Sequence, residues 1–443
     1  MDFSDTATIS RYRIGILQIG GLLLGLIATG LSAYFIFQSL RFGLGHVSDL
    51  PITDQWAFVL DYLRMREGQY RLTDLFSLHN EHRIFTTRLV LLADVYFFSM
   101  RGFLPIIVTY GALAVITALI AYLSLRGSSQ SVLGTAVATF AMLGIAWSAS
   151  QYENLETQFQ VQFAFVHLFA LLSYLALAKS FGTPSAQSWL WLLGSIATDF
   201  LATFSLGSGF LTIVPSVAMA IWLRYIDRRI IVLVAAHAVF VAAYFWGYPF
   251  ASALNYGSTS LVSYVWILGE FLGTSLEPQY RTSIGCAALL LFVTVSLYVA
   301  KQSFQQPKFD ANTAVLLALA FFVVLEGALT SYARMHGLAP RYATPSVIFF
   351  MAMTGVIWRL SSHLLIRTSV IVALCLLIVK TNAPIFWTVW EFRINQVRTA
   401  RDAVVAGDLS PGNMQIIFAF IPVDLANHVM AELRELRLGP FHR

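Results

Sequence analysis

Residues 103–125 run from Phe103 to Leu125 without one charged side chain, and segments of this kind recur along the chain. A helix crosses the ~30 Å hydrocarbon core of a bilayer in about 20 mostly apolar residues, and within lipid a segment must satisfy its own backbone hydrogen bonds. The chain is therefore predicted to be an all-α polytopic integral membrane protein. Eleven segments are expected to span: 14–38, 103–125, 131–149, 160–180, 189–206, 208–224, 229–249, 281–299, 313–331, 345–361 and a last one beginning near 368. Composition agrees. Hydrophobic residues make up 58% of the 443 and charged residues 12%, with a mean hydropathy of +0.71, against roughly 25% charge in soluble domains. This excludes a cytosolic enzyme, a disordered chain, a collagen-like fibre and a disulfide scaffold. Cys286 and Cys375 lie in apolar runs and read as small buried hydrophobes.

The first apolar segment follows Arg11 and Arg13 and is longer than a signal-peptide core, so it reads as a retained anchor. Two shorter apolar stretches, 84–100 with Arg88 and Asp94 and 262–276 with Glu270, are expected to lie flat in the interface as amphipathic helices. Basic residues then set the sides. With the N-terminus inside, the inner loops hold Arg126, Lys179, Arg224, Arg228, Arg229, Lys301, Lys308, Arg359 and Arg367, whereas outer loops 150–160, 205–210 and 250–280 hold no lysine or arginine. The 332–345 loop, with Arg334 and Arg341, breaks the pattern. The expected organisation is a transmembrane domain over 1–389, with a long first outer loop at 39–102, and a small helical extracytoplasmic tail over 390–443.

The unusual polar clusters share the outer side of this topology. The first loop carries Asp49, then Thr53-Asp54-Gln55-Trp56, then His79-Asn80-Glu81-His82-Arg83. The next carries Gln151 to Gln158 with Glu153 and Glu156. Gly207-Ser208-Gly209 and the Arg334–Tyr342 loop follow. His167, Asp199 and Glu326 fall in the outer halves of their spans, where a charge must be paired or watered, so they are expected to line a cavity open to the outside. A transporter needs polar groups near the midplane with access to both faces. A one-sided set suits an enzyme at the outer face.

An aspartate shortly after the first span, followed by interfacial helices, resembles the GT-C class of membrane glycosyltransferases, whose members include protein mannosyltransferases and lipid A aminoarabinose transferases. The H-N-E-H-R, Q-x-E-N and R-Y stretches are similar to those of bacterial polytopic membrane proteins of this type. The resemblance covers most of the chain as layout. It departs at Gln55, where many of the class carry an Asp-Glu pair. It implies a GT-C-like fold of about eleven spans and inverting transfer of a sugar from a polyprenyl-phosphate donor to a glycan, lipid or protein acceptor at the outer face of the plasma membrane.

Such transfer needs a base for the acceptor hydroxyl and stabilisation of the departing phosphate. Asp54 is the expected base and Asp49 the second choice, while Asp54 as a helix N-cap is the competing reading. Arginine forks suit phosphate, which points to Arg334 and Arg341, with His336 and Tyr342 beside them; the alternative is lipid headgroup pairing. Trp56, His79, Glu81, His82, Arg83, Glu153 and Glu156 are expected to contact substrate. His79, Glu81 and His82 do not make a complete metal-ligand set, so no cofactor beyond the lipid-linked co-substrate is expected. Gly207-Ser208-Gly209 reads as a tight connection and His237 as a satisfied core residue. No feature suggests nucleic acid. The competing functions are a transporter or flippase of lipid-linked glycans, and a non-catalytic scaffold.

Overall fold

The computed structural model describes residues 4–127, 132–183, 186–249, 260–305, 309–334, 337–419 and 421–442. The chain is a helical bundle, and eight of its described helical segments are long and apolar enough to cross a membrane. In chain order the helices are α1 (Ser4–Gly45), α2 (Trp56–Arg66), α3 (Phe85–Phe98), α4 (Phe103–Leu125), α5 (Val132–Ala146) and the short α6 (Tyr152–Glu156). They continue with α7 (Val161–Gly182), α8 (Ala186–Thr203), α9 (Ile213–Leu223), α10 (Arg228–Phe245), α11 (Leu261–Leu272) and α12 (Pro278–Gln305). The last six are α13 (Ala311–Ala333), α14 (Ala343–Leu360), α15 (Leu364–Thr381), α16 (Pro384–Val405), α17 (Pro411–Ile417) and α18 (Val423–Glu435). Expected spans 131–149, 189–206 and 208–224 fall on shorter or more polar helices, α5, α8 and α9, which do not meet that measure on their own.

The bundle core is built by α7 against α8, α13 against α14, and α4 against α7. Val315, Leu316, Leu319, Phe322 and Val323 of α13 are fully sealed, as are Val347, Ile348 and Phe349 of α14. At the end of the bundle away from the first loop, Asp310 caps α13 by accepting from the Thr313 amide at 2.8 Å. Its carboxylate also takes Arg359 at 2.6 and 2.8 Å, and Arg359 in turn donates to the Leu123 and Arg126 carbonyls. One guanidinium thus closes the ends of three helices.

The two stretches expected to lie flat are helices, and the charged residues of the first face protein. Arg88 of α3 is buried and donates to the Leu75 carbonyl at 3.1 Å, and Asp94 accepts from the Gly102 and Leu104 amides at 2.8 and 3.1 Å, which starts α4. Helix α11 runs antiparallel along the first turns of α12. A Cβ on Gly285 would lie 1.7 Å from the Gly269 carbonyl oxygen, so the two backbones touch through glycine.

The tail does not stand apart from the first loop. Leu50, Ile52, Trp56, Val59 and Leu63 share one apolar core with Val404, Ile417, Phe418, Val429 and Leu433. Residues 397–441 and part of 39–102 thus pack together as one cap. Each piece supplies apolar side chains to the other's face.

Candidate functional site

The first loop contributes a small antiparallel hairpin, β1 (Leu78–His79) with β2 (His82–Arg83), in which His79 pairs with His82. Asn80, in the left-handed region at φ 51°, makes the turn; asparagine tolerates that conformation. The hairpin lies over the 3-10 turn Gly207–Leu211 that joins α8 to α9. A Cβ on Gly207 would stand 2.6 Å from His82 Nδ1, so the imidazole rests directly on the turn. Arg83 fastens the hairpin by donating to the Tyr244 and Phe76 carbonyls at 2.6 Å each and to that of Trp246. It serves as a structural clamp rather than a substrate contact.

Between hairpin, turn and helix ends lies a cavity of about 290 Å³. It is lined by Asp54, by His79, Glu81 and His82, by Gln160 and Gln162, by Ser208, by Tyr244 and Tyr248, and by Glu326, Arg334, Arg341 and Tyr342. Most of the residues expected from sequence to act together meet here, although they come from the first loop and from α13 and α14.

Asp54 follows Thr53, whose φ is 51°, a left-handed backbone that a β-branched residue adopts only at a cost of about 1–3 kcal/mol. The competing cap reading fails for α2. Helix α2 begins at Trp56 with no side-chain cap, because Gln55 takes the structural bonds, accepting from the Ile52 amide and donating to Gln158. The Asp54 carboxylate forms no hydrogen bond among the described residues, and the residue lines the cavity half-buried. Its charge acts on both His79 and Arg341. Burial lowers the pKa of His79 and pushes that of His82 down to about 4, so both imidazoles are neutral near pH 7.

Each arginine already has a carboxylate partner. Arg341 donates Nη1 to Glu153 Oε1 and its amide to Glu153 Oε2, both at 3.0 Å. Asn154 donates to the Arg341 carbonyl and to the Thr344 hydroxyl at 2.7 and 2.6 Å, and Gln151 accepts from Thr344. The Gln151–Asn154 stretch is thus the mount for Arg341, and Glu153 touches the arginine, not the cavity. Arg334 binds Glu81 at 2.6 Å across the mouth. Tyr342 packs between Phe163 and Phe271 with one edge in the cavity. His336 lies outside the described residues.

The buried acids divide. Glu326 accepts from the Ser208 hydroxyl at 3.1 Å and lies 2.8 Å from His167 Nε2, whose Nδ1 donates to the Phe163 carbonyl at 2.7 Å. Asp199, expected to line water, is instead sealed against His237 at 2.7 Å and Thr212. His237 also bonds the Phe210 carbonyl at 2.9 Å, so it is the satisfied core residue its sequence suggested. The two histidine–carboxylate pairs brace the 207–211 turn from both sides.

Besides Glu153, four expected site residues belong elsewhere. Asp49 is held by both arms of Arg401 at 2.9 and 2.7 Å. Trp56 is buried, stacks 4.5 Å from Phe418 and donates to the Ile417 carbonyl at 2.9 Å; it is core of the cap. Glu156 pairs with Arg393 and, with Asp49, lines a separate cleft of about 450 Å³ between the end of α1 and α16. Arg83, as above, is the fourth. Sequence reading missed Gln160 and Gln162, although the alternation of glutamine from 158 to 162 at the start of a span was the available signal.

Compared with known proteins, the chain matches no family model, no curated protein and no solved structure. Among the described residues, no group of three or more His, Cys, Asp or Glu is arranged to hold a metal ion.

Proposed function

We propose that the chain is a GT-C-like glycosyltransferase of about eleven spans that moves a sugar from a polyprenyl-phosphate carrier to a glycan, lipid or protein acceptor at the outer face of the plasma membrane. The observation that carries this reading is the unpaired carboxylate of Asp54 in one cavity with Arg334 and Arg341. Asp54 takes the proton of the acceptor hydroxyl. The hydroxyl oxygen attacks the anomeric carbon from the face opposite the phosphate, the carbon–oxygen bond to phosphate breaks, and its electron pair stays on the departing phosphate. Arg341 spends Nη1 on Glu153 and keeps further N–H groups for that anion.

Because each arginine is already matched by a carboxylate, the site suits a phosphodiester of one negative charge better than a diphosphate. Phe210, Phe245 and Leu329 give one wall an apolar surface fit for the first isoprene units. A second reading, a transporter or flippase of lipid-linked glycans, draws support from the Glu326–His167 pair, since ionisable pairs buried among spans also mark proton relays.

The deciding experiment is glycan analysis of cells carrying wild-type protein, a deletion, or Asp54→Asn at matched membrane abundance. Loss of the same sugar in the deletion and in Asp54→Asn is the expected result. A glycan changed by deletion but untouched by Asp54→Asn removes Asp54 as the base and favours transport.

A further inference from the structure

Several buried oxygens of this cavity have no partner among the described residues, and they bear on the charge of the sugar. Gln160 and Gln162 are both at least nine-tenths buried and line the cavity, and the Oε1 of each has no hydrogen-bond partner among the described residues. The orientation of the Gln160 amide is fixed: its Nε2 donates to Glu153 Oε1, a carboxylate that can only accept, so the oxygen is the free atom. Asp54 adds carboxylate oxygens without partners, and Glu326 presents an oxygen already engaged by Ser208. His82 Nδ1 and His79 Nε2 are also buried and unpartnered, and burial holds both rings neutral. Apart from the two arginines, much of the polar lining is thus a surface of acceptors and neutral rings.

Buried acceptors without donors cost free energy until a ligand supplies N–H or O–H groups. Hydroxyl and ammonium groups do so. A carboxylate supplies none, and would add negative charge beside Asp54 and Glu326, while Arg334 and Arg341 are already matched by Glu81 and Glu153 and keep their remaining N–H groups for the phosphate of the proposed donor. We propose that the sugar subsite accepts an uncharged or amine-bearing sugar and rejects a uronic acid. This rests on the glycosyl-transfer reading above, and it narrows the donor class rather than the reaction.

The test is equilibrium binding to the full-length protein in lipid nanodiscs, with three short-chain probes: farnesyl phosphate, farnesyl-phosphoryl glucose and farnesyl-phosphoryl glucuronate. The expected order has the glucose lipid at least ~10-fold tighter than the glucuronate lipid, which binds no better than farnesyl phosphate; a site built for hydroxyl donors discriminates by this much or more. In Gln160→Leu the advantage of the glucose lipid over farnesyl phosphate should shrink, and Gln160→Met serves if the leucine variant does not fold. Glucuronate binding as tight as glucose overturns the inference while leaving the functional reading in place. Failure of all three probes to bind overturns the functional reading and the inference with it.

Discussion

Thr53 holds a left-handed backbone immediately before Asp54, the one cavity carboxylate without a hydrogen-bond or ion-pair partner among the described residues. Such strain persists only where surrounding contacts enforce it, and here Gln55 fixes both the Ile52 amide and Gln158. The arrangement aims Asp54 at the cavity while its neighbour Asp49 is spent on Arg401. The two aspartates therefore give opposite phenotypes. Asp54→Asn is expected to cut transfer by about 10²–10⁴-fold, the usual worth of a general base, with an unchanged melting temperature. Asp49→Asn should lower the melting temperature and spare turnover. Measuring transfer and thermal unfolding on both purified variants separates them; loss of turnover in Asp49→Asn alone would reverse the assignment. The types of these residues were legible in the sequence, but their partners were not. Trp56 and Arg83 looked like sugar and phosphate contacts because nothing local shows that each bonds backbone carbonyls brought in by folding, of Ile417 for one and of Phe76, Tyr244 and Trp246 for the other.

At the scale of elements, the site depends on a turn and a hairpin that touch through glycine. A Cβ on Gly209 would fall 1.9 Å from the Ala202 carbonyl oxygen, a backbone atom that cannot step aside, whereas one on Gly207 meets the movable His82 ring. Gly209→Ala should fail to reach the membrane in folded form. Gly207→Ala should fold and lose at least ~10-fold in transfer through a displaced hairpin, in keeping with the sensitivity of catalysis to ~1 Å misplacement. Expression and turnover of the pair check this; equal yields would deny the turn its tight seat. Helix α6 carries the other element-scale prediction, because Glu153 at its start mounts Arg341 while Glu156 at its end grips Arg393 of α16. Burial raises the Glu156 carboxyl from 4.5 to about 7 despite that arginine. The folded protein therefore binds this proton more tightly than the unfolded chain. The resulting stability is full below about pH 4.5 and is lost as pH rises through about 7. Wild type should lose up to about 3 kcal/mol relative to Glu156→Gln over that window, read as the difference between their melting curves. A constant difference across the window would show that the carboxyl does not titrate there. Helix identity and order were readable from apolar runs, since each span signals itself locally. The α11–α12 backbone contact and the shared cap core were not, because they arise between segments whose own patterns carry no mark of the partner.

For the whole molecule, the distribution of charge separates two ends. The cavity, the hairpin and the cap lie at one, and Arg224, Arg228, Arg229 and the Arg359 cluster at the other, joined by α9 and α14 running between them. Counted over short connections, the positive-inside tendency predicts a cytoplasmic side for the end with Arg224, Arg228, Arg229 and Arg359, and the proposed transfer requires that orientation. Leu155, in the Gln151–Gln158 stretch, is fully buried and would be silent to a label. Ser410 in the cap and Ile226 in the α9–α10 loop are exposed, and they sit at opposite ends. With Cys286 and Cys375 replaced by alanine, Ser410→Cys should react with an impermeant maleimide on intact cells, and Ile226→Cys only after permeabilisation. The reverse pattern would turn the cavity to the cytoplasm and end the outer-face assignment, while leaving the chemistry of Asp54 open to a cytoplasmic donor. Labelling of both from outside would mean that the two ends do not lie across a membrane from one another. In that event the helices between them, α9 foremost because it is short, would not be spans at all.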